Sequence, residues 1–262
     1  MDRLSVNQFS LPRRAIENEL RAVSDSGIRH MGIMRSKWAN HPKKYAEMLC
    51  QCNIEVSDVC IIRADPTSPL STLADARATL ELAAACNADL VTLVMNRSRD
   101  HNAVIDVMNA LVEVSMEYNI PLGLEPLHPM YANVSEFLTF ESAYQFVCRW
   151  PSRNLGIVLD TYHVWWDRRV YALDSSEVSR IRLIHVGDWP GDSEVPQDRV
   201  HLGQGLIDFR ALVTALEAAG YKGLYEMEVI GSRSWALGLD IAIESFQKGF
   251  RTAILPYLRK ED

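Results

Sequence analysis

The feature that most constrains the fold is a repeated alternation between short apolar strand patterns and amphipathic helix patterns. Eight strand-helix units can be assigned, each roughly thirty residues long, the length of a parallel strand with its helical crossover. The chain has 262 residues, close to the usual size of an eightfold barrel. The sequence therefore predicts an α/β fold, a single (β/α)8 TIM barrel that occupies residues 1–262 as one domain.

The predicted strands are apolar runs that end at polar residues or turn signals. In chain order they are Leu4–Phe9, His30–Met34, Glu55–Ile62, Leu90–Met95, Pro121–Glu125, Gly156–Asp160, Ile181–His185 and Leu224–Glu228. Helices are expected between them, among them Tyr171–Val178, and the stretch Trp235–Leu258 closes the chain. The segment Asp188–Leu206 is rich in glycine and proline, and we predict a lid or substrate loop there.

Composition narrows the class of partner. The net charge is −7, and no run of lysine and arginine suggests a nucleic-acid surface, so a small-molecule ligand is expected. No stretch reaches the ~20 apolar residues of a membrane helix, and the N-terminus enters a strand without the apolar core of a signal peptide. Five cysteines without C-x-x-C spacing predict reduced, buried thiols in a cytoplasmic protein.

Four of the predicted strands end in side chains that bind metals. They are Glu125, Asp160, His185 and Glu228. Because the carboxyl ends of barrel strands meet at one face, we expect the three carboxylates and the imidazole to converge there. That donor set suits one divalent ion, Mn²⁺, Mg²⁺, Co²⁺ or Zn²⁺. The alternatives are a surface glutamate, an aspartate that caps a helix, and a hydrogen-bonded core histidine.

Further polar and aromatic side chains follow these strand ends. His163 and Arg199 are candidate substrate contacts, and His128 is a candidate substrate contact or acid/base; each could instead be a core or loop residue. Trp165 could cover the barrel mouth or simply pack. Glu226 shares a strand face with Glu228 and is expected deeper in the barrel.

The ordered set resembles the xylose-isomerase-like barrel superfamily, in particular its sugar isomerase and epimerase branch with ketose 3-epimerases, hydroxypyruvate isomerases and inosose dehydratases. The resemblance implies that Glu125, Asp160, His185 and Glu228 bind a metal, Mn²⁺ above all, and that Glu125 and Glu228 transfer protons. It implies substrate contacts for His163, in the family's Asp-Thr-x-His motif, and for Arg199. The related abasic-site endonucleases have extra zinc-binding histidines that are not evident here.

The function expected from this resemblance is isomerisation or epimerisation of a keto-sugar through an enediolate. An alternative is a lyase or dehydratase acting on an inosose, a dehydroshikimate-like compound or a 3-keto-glycoside, including a subunit of a C-glycoside deglycosidase. An abasic-site endonuclease is the least favoured reading. A homo-oligomer or a complex with a partner subunit remains open.

Overall fold

Eight parallel strands form a closed barrel in the computed structural model, which describes residues 1–38, 42–150, 153–191 and 198–259. The strands are β1 (Leu4–Asn7), β2 (His30–Met34), β3 (Glu55–Ala64), β4 (Val91–Met95), β5 (Leu122–Leu124), β6 (Leu155–Asp160), β7 (Ile181–Val186) and β8 (Tyr225–Met227). Each strand pairs in parallel with the next along the chain, and β8 pairs with β1. The predicted fold class is confirmed.

Helices connect the strands. They are α1 (Ile16–Asp25), α2 (Arg35–Trp38), α3 (Pro42–Gln51), α4 (Pro69–Ala85), α5 (His101–Tyr118), α6 (Phe140–Val147), α7 (Thr161–Val164), α8 (Ser175–Val178), α9 (Phe209–Ala218), α10 (Ser232–Trp235) and α11 (Leu239–Gly249). None of the helices within the described ranges is both long enough and apolar enough to cross a membrane.

Burial on both faces explains why the strands are continuous apolar runs. All five residues of β4 and all six of β6 are buried, because one face of each strand fills the barrel and the other packs against helices. Helix α5 contributes Val104, Val107 and Leu111 to this core, with the three- and four-residue spacing of an amphipathic helix. The apolar core therefore fixes the strand ends, where the polar side chains lie.

Several predicted boundaries were wrong for local reasons. The first strand stops at Asn7, whose side chain caps a 3₁₀ turn at Gln8–Ser10. The expected helix Tyr171–Val178 is two pieces, a 3₁₀ turn at Arg168–Tyr171 and the separate helix α8. The break occurs because Asp174 is extended and forms a capping box with Glu177, so a new helix starts there.

The five cysteines lie in the described part of the chain and are free. The prediction that these thiols are buried was wrong for Cys50 and Cys148, which are exposed, and Cys52 is only half-buried. Cys50 and Cys52 lie at the end of α3, and Cys148 follows α6. The apolar neighbours of Cys50 and Cys148, Leu49 and Val147, are buried on other faces of the helices, and Cys52 packs against the core in part.

The base of the predicted lid is held by one buried carboxylate. Asp188 Oδ2 accepts hydrogen bonds from the Gly203 and Gly205 amides at 2.9 Å, and Oδ1 accepts one from the Ile207 amide at 3.0 Å. A bridge between Asp188 and Val200 ties the two arms together. The centre of the segment, residues 192–197, lies outside the described residues, as do residues 260–262 of the predicted domain, so the lid and the one-domain assignment remain predictions.

Candidate metal centre

Four ionisable side chains lie together at the C-terminal ends of neighbouring strands. One potential ligand atom from each of Glu125, Asp160, His185 and Glu228 lies within 4.8 Å of the others, and all four residues are buried. Asp160 and His185 belong to β6 and β7, and the two glutamates directly follow β5 and β8. We call these four residues the acidic cluster. Their convergence is the arrangement that the strand ends predicted.

Backbone pairing explains this convergence. Asp160 and His185 are direct partners in the pairing of β6 with β7. Glu125 lies one residue past β5, yet its amide still donates to a carbonyl of β4 at 2.9 Å. The Glu228 amide likewise donates to a carbonyl of β7 at 2.9 Å. Both glutamates are therefore held by the sheet rather than by a loose loop, which fixes where their side chains begin.

The His185 ring connects two layers of carboxylates. Its Nδ1 lies 3.1 Å from Glu125 Oε1 and 3.5 Å from Glu228 Oε2. Its Nε2 faces the barrel interior, 3.6 Å from Asp58 Oδ2 and 3.5 Å from Glu226 Oε1. One ring nitrogen is thus directed at the acidic cluster and the other at the layer below, which is the usual arrangement of a metal-binding histidine.

The lower layer is a network of buried polar groups. Glu226 accepts hydrogen bonds from Asn7 Nδ2 at 2.6 Å and from Ser5 Oγ at 2.7 Å. Asp58 Oδ2 accepts one from Thr92 Oγ1 at 2.6 Å. The sequence reasoning placed Glu226 deep in the barrel but did not single out Asp58. The available signal was a charged residue inside the predicted third strand, which is costly to bury without partners.

Arg199 bridges two members of the acidic cluster. Its Nη2 lies 2.8 Å from Asp160 Oδ2, and its Nη1 donates to Glu228 Oε2 and to the Glu228 carbonyl, both at 2.8 Å. The guanidinium also lies over the Tyr162 ring, 4.6 Å from its centroid. The other Asp160 oxygen, Oδ1, accepts from the Tyr162 amide at 2.9 Å and caps α7. Asp160 is therefore a helix cap and a member of the cluster at once.

Burial and neighbouring charges shift the pKa values of the carboxyl groups in opposite directions. Burial raises the pKa of Glu125, and it raises that of Asp160 to about 8 despite the nearby Arg199. Burial opposes ionisation of Glu228 as well, but Arg199 and His185 outweigh it and hold the pKa of Glu228 well below its usual value. The His185 pKa is raised, because burial is overcome by Glu228 and by the hydrogen-bonding carboxylates around the ring.

The chemistry of the donor set fits a divalent cation. Three carboxylates and one imidazole are the ligands that Mn²⁺, Mg²⁺, Co²⁺ and Zn²⁺ accept. Asp160 is fully buried, and burial raises its pKa to about 8 despite the nearby Arg199, so a cation beside it would offset the cost of burying its charge. Glu125, Asp160, His185 and Glu228 are thus the residues that would hold a metal.

The predicted substrate contacts separate into two pairs. His163 and Arg199 line the main cavity, next to the acidic cluster. Neither His128 nor Trp165 is among the described residues that line it. His128 stacks on Trp189 at 4.8 Å between centroids, and Trp165 lies 5.7 Å from the same ring. Substrate contact by His128 and Trp165 remains a prediction, and in this structure both rings pack beside the mouth.

His163 faces the cluster as a neutral group. Its Nε2 lies 3.6 Å from Asp160 Oδ2, and its ring makes an edge contact with Tyr131 at 5.6 Å. Burial, reinforced by Arg199, lowers the pKa of His163 well below its usual value. A neutral imidazole in this position can accept or donate a hydrogen bond to a sugar hydroxyl.

A cavity of about 1290 Å³ opens above the acidic cluster. Glu125 and Glu228 contribute to its floor, and residues from the C-terminal ends of strands and the loops that follow them form its walls. This volume exceeds the roughly 300–1,000 Å³ of ordinary small-molecule sites. The cavity can therefore take a ligand larger than a single monosaccharide.

The chain belongs to a known family: the model of the xylose isomerase-like TIM barrel matches residues 20–249. Among curated proteins it is similar to the inosose isomerase of Bacillus subtilis (strain 168), with 28 % identity over 148 residues. That match covers 55 % of this chain and 52 % of the relative. The inosose isomerase of Halalkalibacterium halodurans is 26 % identical over 153 residues, 57 % of this chain and 53 % of the relative. The chain thus matches about half the length of these relatives.

Solved structures share the fold over nearly the whole chain. Protein SMc04130 from Sinorhizobium meliloti 1021 has a TM-score of 0.85 at 23 % identity, covering 97 % of this chain and 98 % of that one. The IOLI protein, solved with a bound zinc atom, has a TM-score of 0.83 at 20 % identity, covering 98 % and 100 %. At these identities the likeness establishes the barrel fold, and the predicted superfamily is confirmed by the family match.

Proposed function

We propose that this protein is a divalent-metal-dependent isomerase or epimerase of a keto-sugar or a related polyhydroxy carbonyl compound. The observation that carries the proposal is the acidic cluster, whose four ligand atoms lie within 4.8 Å of one another at the floor of a large cavity. Glu125, Asp160, His185 and Glu228 would hold the ion. A bound divalent cation supplies Lewis-acid stabilisation of the negative charge that develops on the carbonyl oxygen of the substrate.

The chain's own residues would move the proton. Glu228 is ionised because Arg199 and His185 lower its pKa, so its carboxylate can remove a C–H proton next to the carbonyl. Glu125 follows a strand on the other side of β6 and β7, and burial raises its pKa, so it can hold a proton and return it. Pairs of carboxyl groups with opposite pKa shifts are the usual sign of such a division of roles.

The carbon and the face to which the proton returns decide the product. Return of the proton to the neighbouring carbon gives an isomer, and return to the same carbon from the opposite face gives an epimer. Arg199 and His163 lie beside the cluster and would orient the substrate oxygens. The inosose isomerase relatives support a reaction of this type on a polyhydroxy ketone. Because the chain matches only half of their length, the activity is our proposal for this protein.

A lyase is the second candidate, and the cavity volume favours it. The same enediolate can expel a β-linked group, so an inosose, a dehydroshikimate-like compound or a 3-keto-glycoside would be dehydrated or cleaved. A cavity of about 1290 Å³ leaves room for the aglycone of a glycoside. A deglycosidase of this kind would act with a partner subunit.

The test uses purified protein with added Mn²⁺ and a panel of ketoses, inososes and 3-keto-glycosides in deuterated water. We expect deuterium at the carbon next to the carbonyl, together with an epimer or isomer detected by chromatography and NMR. Dehydration products or a released aglycone would select the lyase instead. Absence of both exchange and product across the panel, in a protein that retains its fold and metal, would contradict the proposed chemistry.

A further inference from the structure

Basic side chains line the half of the cavity that lies across from the acidic cluster. They are Arg13, Lys37, Arg63 and Arg97. They contrast with the whole chain, whose net charge is −7. Among the described residues, the carboxylate that lines this half is Asp65, and its Oδ1 is engaged by the Thr67 hydroxyl at 2.7 Å. This half of the wall is therefore positively charged.

Strand order shows that the two halves face each other. The acidic cluster comes from β5 to β8, whereas the basic residues come from β3 and from the segments that follow β1, β2 and β4. In a closed barrel of eight strands, strands four apart in the order lie opposite one another. Arg63 of β3 therefore stands across the mouth from His185 of β7. Polarity of this kind can orient a ligand with two different ends.

The strand alternation aims Arg63 into the cavity. Ile61, Arg63 and Asp65 line the cavity, and the residues between them, Ile62 and Ala64, are fully buried. Because successive side chains of a strand point to opposite faces, Arg63 belongs to the inner face of the mouth. The Arg63 side chain is therefore exposed to the cavity.

Two of these basic side chains have no partner within the described residues. Lys37 Nζ is bound to the buried Glu19 at 2.7 Å, and Arg97 donates to the Ala132 carbonyl. The guanidinium groups of Arg13 and Arg63 make no hydrogen bond or ion pair there, and both residues are exposed to the cavity. Their donors are therefore available to a ligand. Guanidinium forks match carboxylate and phosphate oxygens.

We propose that the substrate carries an anionic group, a carboxylate or a phosphate, which Arg13 and Arg63 bind while its carbonyl end lies at the acidic cluster. This inference rests on the proposed function, because it extends the same substrate across the same cavity. The cavity volume of about 1290 Å³ gives room for a substrate that reaches from one half to the other. Arg13 and Arg63 would then set specificity without touching the reacting carbons.

Calorimetric binding to the Mn²⁺-supplemented protein tests this with three matched keto-sugars. D-fructose is neutral, D-fructuronate carries a carboxylate, and D-fructose 6-phosphate carries a phosphate. We expect at least one anionic sugar to bind about tenfold or more tightly than D-fructose, the effect of one or two charge-assisted hydrogen bonds. The tighter of the two identifies the anionic group. Because turnover is not measured, the binding result can be interpreted even if the proposed reaction does not occur.

Substitutions identify the side chains responsible for the preference for an anionic sugar. Arg63→Ala and Arg13→Ala should each weaken binding of the anionic sugar far more than binding of D-fructose and so remove most of the preference, and Arg63→Lys should restore part of it. The matched control is Arg251→Ala, which removes an exposed arginine that follows α11 and does not line the cavity. Equal binding of all three sugars, no binding of either anionic sugar, or a preference that survives both alanine substitutions would overturn the proposal.

Discussion

At the scale of single residues, Arg199 and His185 decide how the acidic cluster is charged. Arg199 contacts Asp160 and Glu228 at 2.8 Å, and His185 lies 3.1 Å from Glu125. These contacts make Glu228 the most acidic of the carboxyl groups, while burial dominates Asp160 and Glu125. In the proposed reaction Glu228 would act as the base and Glu125 as the acid, the two groups that proton transfer next to a carbonyl requires.

Replacing Glu228 by glutamine should abolish most of the activity. Gln keeps the size of the side chain but cannot accept the proton, so we expect turnover to fall by a factor of about 10²–10⁴. The measurement is the rate of solvent deuterium incorporation into the preferred substrate. Glu244→Gln, an exposed glutamate of α11, is the matched control and should keep the wild-type rate. Near-normal exchange by Glu228→Gln would remove this residue from the reaction.

The free energy of unfolding of the metal-free protein should fall as the pH rises, because Glu226 loses its proton. Burial and the neighbouring Asp58 raise its pKa to about 8, whereas in an unfolded chain it is about 4.3. Because the folded state holds a proton that the unfolded state has lost, this stabilisation is present at low pH and disappears as the pH rises through about 8.

The test is the free energy of unfolding in urea, measured on EDTA-treated protein between about pH 5 and pH 8. Glu226→Gln should show a flatter decline than the wild type, since glutamine does not titrate. At about pH 5 its stability should be lower than that of the wild type, because an amide cannot accept all the hydrogen bonds that Ser5 and Asn7 donate. Identical pH slopes for both proteins would contradict the assignment of a protonated Glu226.

The sequence made the acidic cluster predictable because each member ends a recognisable apolar run. Asp58 was missed because it lies within β3, where a charged residue reads as an interruption of the strand. Arg63 was not singled out because the predicted strand ended at Ile62, whereas β3 continues to Ala64 and Arg63 lines the cavity. The sequence also could not predict that Arg199 contacts the acidic cluster. Its motif predicted a substrate contact, but its two carboxylate partners lie 29 and 39 residues away and only the closed barrel brings them together.

At the scale of elements, β2 shows how closely the strands surround the buried carboxylates. A Cβ atom on Gly32 would collide with Glu226 Oε1 and Asp58 Oδ1, and it would lie 2.8 Å from Glu226 Cδ. Gly32 is a β2 residue paired with Asn7 of β1, so the backbone cannot move away without disturbing the sheet. Because Gly32 has no side chain, the carboxylates of Glu226 and Asp58 fit inside the barrel.

Gly32→Ala should therefore destabilise the protein by about 1–3 kcal/mol, the usual cost of overpacking a rigid interior. Urea unfolding followed by circular dichroism measures the loss. Gly238→Ala is the comparison, because a Cβ atom there would lie 3.9 Å from Ile241 Cδ1, an ordinary van der Waals distance, and its φ of −68° suits any residue. Equal losses of unfolding free energy for the two substitutions would contradict the close packing around Gly32.

Strands were easier to predict than helices because both of their faces are buried. All residues of β4 and β6 are buried, so their apolar runs are uninterrupted and their ends are sharp. The segment Tyr171–Val178 was misread as one helix because a local capping box at Asp174 divides it. Short hydrogen-bonded caps of this kind compete with helix propagation and leave little trace in the apolar periodicity.

At the scale of the whole molecule, the acidic cluster joins four consecutive strands of a barrel that is closed by the pairing of β1 with β8. Any ion held there would be bound by the folded state and not by the unfolded chain, so it would stabilise the entire barrel. Stability and ligation are therefore linked, and a metal effect on unfolding reports on the cluster.

Adding Mn²⁺ to EDTA-treated protein should raise the melting temperature. At a concentration about a hundred times the dissociation constant, the expected increase is roughly 5–10 °C for a chain of this size. Differential scanning calorimetry gives the shift, and Asp160→Asn should reduce it. A melting temperature that does not respond to any of Mn²⁺, Mg²⁺, Co²⁺ or Zn²⁺ would be incompatible with a metal centre.

The most direct test of the central claim is calorimetric titration of the EDTA-treated protein with Mn²⁺. The account predicts one ion per chain in the wild type and loss of measurable binding in the double variant Glu125→Gln, Glu228→Gln. A double variant of the exposed residues Glu113 and Glu244, changed in the same way, should bind as the wild type does. No binding by the wild type, or equal binding by the Glu125 and Glu228 variant, would contradict the claim that these residues share a cation.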